Sequence, residues 1–344
     1  TLILAPKITM AYLEVQDLRI AFQTHAGRFN AVNGIDLAIE RGEIFGLVGE
    51  SGCGKTVTSL ALMGLVPPPG EVNATRLNLD GVDLLGRRDW REVRGRRVAM
   101  IFQDPAASLN PTFTLGEQLE HVIGHHLGMK GTAARKRAAD LLLDVGLPDA
   151  ERILRAYPHQ LSGGMQQRAM IALALASGAQ FLIADEPTTA LDVTIQAQIL
   201  RLLRSLRDKH GLTILLITHD LGVVAQTCDR VGVLYAGTLV ELAAAARLFR
   251  GPKHPYTQGL LAALPRPGSR GAELAAIEGQ VPSGLAAITG CPFAARCTRV
   301  FEHCRDVMPM LLEVAPDHGP DHGPDHRPDH RVACHLYAGT EATR

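Results

Sequence analysis

The sequence predicts an α/β fold on a mostly parallel sheet, and three observations carry that prediction. Short apolar runs of strand length, EIFGLVG (43–49), FLIAD (181–185), TILLIT (213–218) and RVGVLY (230–235), alternate with stretches of helical periodicity. Uninterrupted apolar strands are the pattern of a sheet covered on both faces by other layers. A glycine-rich segment, GESGCGKT at residues 49–56, joins the first run to a helical stretch. After Leu248 the texture changes, with frequent Pro and Gly and four of the six cysteines between 291 and 334. The 344 residues are therefore divided into an N-terminal extension (1–11), a core domain (12–248) and a C-terminal extension (249–344).

Taken in order, residues 12–22 and 31–39 alternate as half-buried strands do. The segment 49–56 then matches G-x-x-x-x-G-K-[ST] between strand and helix. Gly49, Gly52 and Gly54 let the backbone wrap around phosphates, with Ser51, Cys53 and Val57 beside them, and the helix start adds its positive dipole. Lys55 is expected to reach the β- and γ-phosphates and Thr56 to hold Mg²⁺. A glycine-rich turn is the bland alternative, and the strand–loop–helix context argues against it. RVAMIFQ (97–103) is a further strand candidate. Residues from about 114 to 177 read as mainly helical, broken at Gly131, Pro148 and Pro158, and residues 105–165 make a helical subdomain.

FLIADEP places Asp185 and Glu186 at the end of a buried strand, where open α/β sheets bind ligands. Asp185 suits Mg²⁺, and Glu186 suits a general base toward water. Two adjacent carboxylates there call for a cation to offset their repulsion. His219 ends the next apolar run and is a candidate γ-phosphate contact.

Composition limits the function classes. Hydrophobic residues make up 46% of the chain, and 35 basic residues balance 35 acidic ones. That neutrality gives no electrostatic case for nucleic acid or an anionic membrane. Six arginines crowd residues 87–97; without an aromatic platform they read as a solvated basic face. The longest charge-free apolar run, 169–184, is too short to span a bilayer, so a membrane role requires a partner. TLILAPKITM lacks the layout of a signal peptide, Met10 is a candidate internal start, and the cysteines fit a reducing compartment.

LSGGMQQR (161–168) gives the family. It is a second glycine-rich helix start, containing Ser162, Gly163, Gly164 and Gln166, and resembles the signature motif of ABC ATPases. Gln103 after RVAMIF, TTALD with Asp192, and His219 match the other family marks in order, and Phe22 stands where the family stacks an aromatic on adenine. Residues 12–243 are covered. The resemblance implies an ABC-type P-loop NTPase, with a RecA-like core, an antiparallel β subdomain and a helical subdomain, that hydrolyses ATP with Mg²⁺. It also implies a head-to-tail dimer, in which Ser162 and Gly164 contact the partner's nucleotide and Gln103 senses Mg²⁺ and the γ-phosphate.

AVNGIDL, GESGCGKTVT, IFQDPAASLNP and YPHQLSGGMQQR look like the ATPases of bacterial peptide and nickel importers. HPYTQGLLAALP (254–265), GQVP and GCPFAARC are similar to their C-terminal extension. The resemblance implies import of di- or oligopeptides, with nickel or another small solute as the alternative. It also implies a paralogous second ATPase, two permeases and an extracytoplasmic binding protein, and a place at the cytoplasmic face of the inner membrane. A repair ATPase would insert a coiled coil between the two glycine motifs, and the 106 residues separating Lys55 from Ser162 show no heptads. A non-catalytic regulator would have lost Lys55 or Glu186.

The extension is expected to be a small irregular domain around Cys291, Cys297, Cys304 and Cys334, spaced C-x5-C-x6-C-x29-C. The cysteines alone suggest a metal site, with structural zinc and unliganded thiols as open alternatives. The family resemblance implies a 4Fe–4S cluster. Within the last gap, PDHGPDHGPDHRPDH (316–330) brings His318, His322, His326 and His330; an extended linker is favoured over a metal store, because a flexible run loses entropy before it can chelate.

Overall fold

The computed structural model describes residues 11–189, 191–264, 277–282, 288–314 and 330–338. Residues 1–10 of the N-terminal extension and all but the last residue of the PDH repeat therefore lie outside the described residues.

Strands β1 (Leu13–Thr24) and β2 (Gly27–Ile39) form a long antiparallel hairpin in which Phe22 faces Phe29. The run 44–48 becomes β3 (Ile44–Val48), buried throughout, and the glycine loop leads into helix α1 (Lys55–Leu62). Three short strands return to the hairpin: β4 (Gly70–Asn73), β5 (Arg76–Leu79) and β6 (Val82–Asp83). They complete an antiparallel sheet of order β2-β1-β5-β6, with β4 also on β1. The chain then enters β7 (Val98–Ile101). The arginine-rich run before it is occupied locally: Arg97 pairs with Asp80, Arg96 with Glu92 and Arg91 with Asp89, while Arg94 donates to the Met63 and Gly64 carbonyls.

The helical subdomain holds α2 (Pro105–Ser108), α3 (Leu115–Leu127), α4 (Gly131–Asp144) and α5 (Ala150–Leu154), and α6 (Gly163–Ala176) returns to the core. Its starts follow from side-chain chemistry. Asp104 accepts from the Ala106 and Ala107 amides, and Thr114 and Glu117 form a reciprocal capping box, each satisfying amides that a helix start leaves unpaired. Strand β8 (Phe181–Asp185), helix α7 (Val193–His210), strand β9 (Thr213–Thr218), helix α8 (Leu221–Thr227) and strand β10 (Arg230–Tyr235) follow in alternation. Helix α7 buries Ile199, Leu200, Leu203 and Leu206 along one stripe and stops at Gly211, φ 66°, a left-handed conformation that glycine adopts freely.

The main sheet has the order β10-β3-β9-β8-β7, all parallel, and it continues antiparallel into β11 (Thr238–Ala244). Its strands alternate between two cores, as period-2 geometry requires. Phe45, Leu47, Leu215 and Ile217 pack toward the N-terminal sheet. Ile44, Val48, Ile214 and Leu216 pack with the helices on the other face.

The C-terminal extension is tied into this sheet. Residue 248, the expected boundary, lies within α9 (Ala245–Arg250), and Leu248 is buried in the main core. Helices α10 (Pro255–Ala262) and α11 (His303–Asp306) precede β12 (Leu312–Glu313) and β13 (His330–Val332). Strand β13 pairs with β11, and β12 with β13. Glu241 on β11 is fully buried and accepts from the Lys253 and His254 amides and from His330 Nε2, at 2.7, 3.0 and 2.7 Å. Three donors are what a buried carboxylate needs. Among the described residues no helix is long and apolar enough to cross a membrane.

Candidate functional site

The loop leaving β3 is shaped by contacts that exclude side chains. A Cβ on Gly49 would lie 2.1 Å from the Leu234 carbonyl oxygen, and one on Gly54, φ 105°, would lie 2.6 Å from that of Ala31. Strands β10 and β2 thus clamp the loop, and Gly54 caps α1. Lys55 is buried along the loop, its Nζ donating to the Gly49 and Glu50 carbonyls at 2.8 and 2.9 Å.

The ends of β8 and β9 converge on the same place. Thr56 Oγ1 donates to Asp185 Oδ1 at 3.3 Å, joining the two expected Mg²⁺ contacts across 129 residues of sequence. Burial pushes the Asp185 carboxyl above the usual range, and the adjacent Glu186 charge adds to it against the Thr56 hydrogen bond and Lys55. A divalent cation would reverse that balance. Glu186 gathers three side chains: Gln103 Nε2 at 3.3 Å and Thr189 Oγ1 at 2.8 Å donate to Oε2, and His219 Nδ1 lies 3.1 Å from Oε1. Burial acts to raise its carboxyl, but the hydrogen bonds from His219 and Thr189 outweigh it and hold the group below the ordinary range.

The loop, Thr56, Gln103, Glu186 and His219 line one cavity of about 870 Å³, whereas Asp185 is buried and outside its lining, tied to it through Thr56. Of the residues expected at a nucleotide, Phe22, Gly49, Ser51, Gly52, Gly54, Lys55, Thr56, Val57, Gln103, Glu186 and His219 line it. Cys53 does not: its side chain is fully buried inside the loop, near Gly49. Ser162, Gly163, Gly164, Gln166 and Asp192 stand outside it. Ser162 caps α6, Asp192 caps α7, and both are exposed. Gln166 donates to the Pro158 carbonyl at 2.8 Å.

Sequence reasoning missed several contributors. Phe29 lines the cavity across the hairpin from Phe22, and Leu260 reaches it from α10. The alternation of β2 could have suggested Phe29. No local signal announces Leu260, which arrives only through the docking of the C-terminal extension. Thr189 was likewise unassigned.

The four C-terminal cysteines are free thiols and share a second, small cavity of about 10 Å³ with His254, whose buried Nε2 has no hydrogen-bond partner among the described residues. Burial, reinforced by the neighbouring thiols, pushes Cys291 up to about 11, and burial raises Cys334 as well. The donor chemistry is that of a soft metal site. Among the described residues no group of three metal-ligating side chains stands where it could hold an ion.

Comparison with known proteins agrees with this geometry. Residues 32–189 match the profile of the ABC transporter family, and residues 240–304 that of the oligopeptide/dipeptide transporter C-terminal region. The dipeptide transport ATP-binding protein DppD of Bacillus subtilis is 49% identical, the match covering 86% of this chain and 90% of that one. DppD of Escherichia coli is 47% identical over 88% and 93%. Among solved structures, the ATP-binding cassette MJ0796, described as a dimeric post-hydrolysis state bound to ADP and Pi, superposes with a TM-score of 0.59. It has 29% identity and covers 68% of this chain and 98% of its own. The structure of cbiO1 from Clostridium perfringens, part of the cbiONQ transporter complex, gives 0.60 at 27% identity, covering 70% and 91%.

Proposed function

Since the chain belongs to the ABC transporter ATPase family, we propose that it is the ATP-hydrolysing subunit that powers import of di- and oligopeptides. One observation carries the reading: a phosphate loop with Thr56 and a Glu186 carboxylate held by Gln103 and His219 line one cavity, and Thr56 is hydrogen-bonded to the buried Asp185. The match of residues 240–304 and the names of the relatives support the peptide class.

In this reading the loop amides and Lys55 take the polyphosphate, Phe22 and Phe29 offer aromatic faces to the base, and Thr56 and Asp185 hold Mg²⁺. The metal supplies charge neutralisation at the β- and γ-phosphates. Glu186 orients water and accepts its proton as the water oxygen attacks the γ-phosphorus and the bond to ADP breaks. His219 and Gln103 fix the Glu186 carboxylate. Ser162, Gly163, Gly164, Gln166 and Asp192, which do not line this chain's own cavity, serve the nucleotide of a second ATPase subunit in a head-to-tail pair. Two permeases carry the pair at the cytoplasmic face of the membrane, and an extracytoplasmic binding protein delivers the peptide.

The test is reconstitution. Co-expressed with its permeases and placed in vesicles, the chain should drive Mg-ATP-dependent accumulation of labelled dipeptide, and Lys55→Ala should abolish it. Robust ATPase activity without uptake of any peptide would overturn the peptide assignment.

Metal binding at Cys291, Cys297, Cys304 and Cys334 is the finer part of the proposal, with a 4Fe–4S cluster first and zinc second. It is supported by the donor chemistry, the four cysteines lining one small cavity, and the unpartnered His254 nitrogen beside them. Anaerobically purified protein should carry iron and sulfide and absorb near 400 nm, on the order of what one cluster gives. Metal-free protein would leave the cysteines as packing thiols.

A further inference from the structure

Glu50 is the second residue of the phosphate loop, and it lines the nucleotide cavity. A carboxylate there opposes a polyanion. Its countercharge comes from 246 positions away: Arg296 brackets it, Nη1 donating to Oε2 at 2.9 Å and Nη2 to Oε1 at 3.2 Å. The guanidinium side chain is only 6% exposed. Its other donors are also taken, by the Glu278 and Ile277 carbonyls at 2.9 and 3.0 Å and the Tyr235 hydroxyl at 3.3 Å. All five N–H groups are thus committed, and the forked geometry fixes the carboxylate plane. The Glu50 backbone is held from the same side, its amide donating to the Tyr256 hydroxyl at 3.0 Å.

The support beneath Arg296 is rigid. Tyr235, Tyr256 and Phe293 pack ring against ring, with centroids 4.6 to 5.5 Å apart. Arg296 ends a short turn between Cys291 and Cys297, closed by hydrogen bonds from Ala294 to Cys291 and from Arg296 to Phe293.

We propose that Arg296 is a positioning residue of the phosphate loop: by neutralising and orienting Glu50 it makes the C-terminal extension part of the polyphosphate site. The inference rests on the reading of the cavity as an ATP site. Removing the guanidinium leaves a carboxylate, unpaired and close to the phosphates. Removing the carboxylate leaves a cation there instead. The two losses therefore act on nucleotide affinity with opposite signs, whereas a merely structural ion pair loses affinity whichever partner is removed.

The experiment is titration of full-length protein with a fluorescent ATP analogue, in a Glu186→Gln background that suppresses turnover. Arg296→Ala should weaken binding on the order of 10-fold, more at low than at high salt, since exposed parts of the interaction are screened. Glu50→Gln, which keeps the shape, should tighten binding a few-fold, and the double variant should return close to the parent. Losses of the same sign in both single variants, or no change in either, would overturn the proposal. A parent that binds no ATP would instead bring down the functional assignment on which it stands.

Discussion

Glu186 closes β8 with φ 46°, a left-handed conformation that costs a residue bearing a Cβ about 1–2 kcal/mol. Such strain persists only where surrounding contacts enforce it, and here the Glu186 amide donates to the Ile217 carbonyl at 2.8 Å while the carboxylate is held at both oxygens. The arrangement holds an ionised carboxylate at the cavity wall, where the proposed mechanism needs a base. Glu186→Gln preserves size and polarity but removes the proton acceptor, so phosphate release should fall on the order of 10²- to 10⁴-fold with nucleotide affinity retained, as a steady-state assay beside a binding titration will read. FLIADE made Asp185 and Glu186 legible, because two acids ending an apolar run have few structural uses. The strained backbone and Thr189 were not legible, since both depend on where β9 lies. Cys53 stands in the loop with its side chain turned inward, a direction not legible beforehand, because a motif says which residues form a loop, not which way each side chain turns.

Among the elements, β8, β9 and β10 were readable to the residue because buried parallel strands are unbroken apolar runs with sharp polar ends. Strands β4 to β6, two to four residues long, carry too little pattern to be read. Strands β12 and β13 form by pairing with each other and with β11, which no local signal encodes. Helix α10 illustrates what an element asks of one side chain. His254 Nδ1 accepts from the Tyr256 amide as its cap, and burial depresses the imidazole pKa to about 4 from 6.5. The unfolded chain therefore takes up a proton below pH 6.5 that the folded imidazole refuses until about pH 4. This contribution is fully present above pH 6.5 and declines as pH falls to about 4, up to about 3 kcal/mol. His254→Asn keeps an acceptor at the cap without a titrating ring, so its melting temperature should vary less than the parent's between pH 6.5 and 4, as calorimetry will show.

At the scale of the whole molecule, Ser162 and Gly163 are exposed and outside the cavity that gathers Lys55, Glu186 and His219, as the proposed head-to-tail pair requires. A bulky cation at the signature should then spare binding and spoil assembly. Ser162→Arg is expected to bind ATP like the parent, to lose ATP-dependent dimerisation measured by light scattering, and to lose hydrolysis on the order of 100-fold. The C-terminal strand adds a constraint of another kind. Because β13 lies between β12 and β11, a nascent polypeptide that has emerged as far as residue 314 still offers the bare hydrogen-bonding margin of β11 to any neighbour on the polysome. Synthesis of residues 330–332 closes that margin, so termination shortly before them should yield aggregates rather than a slightly shortened enzyme.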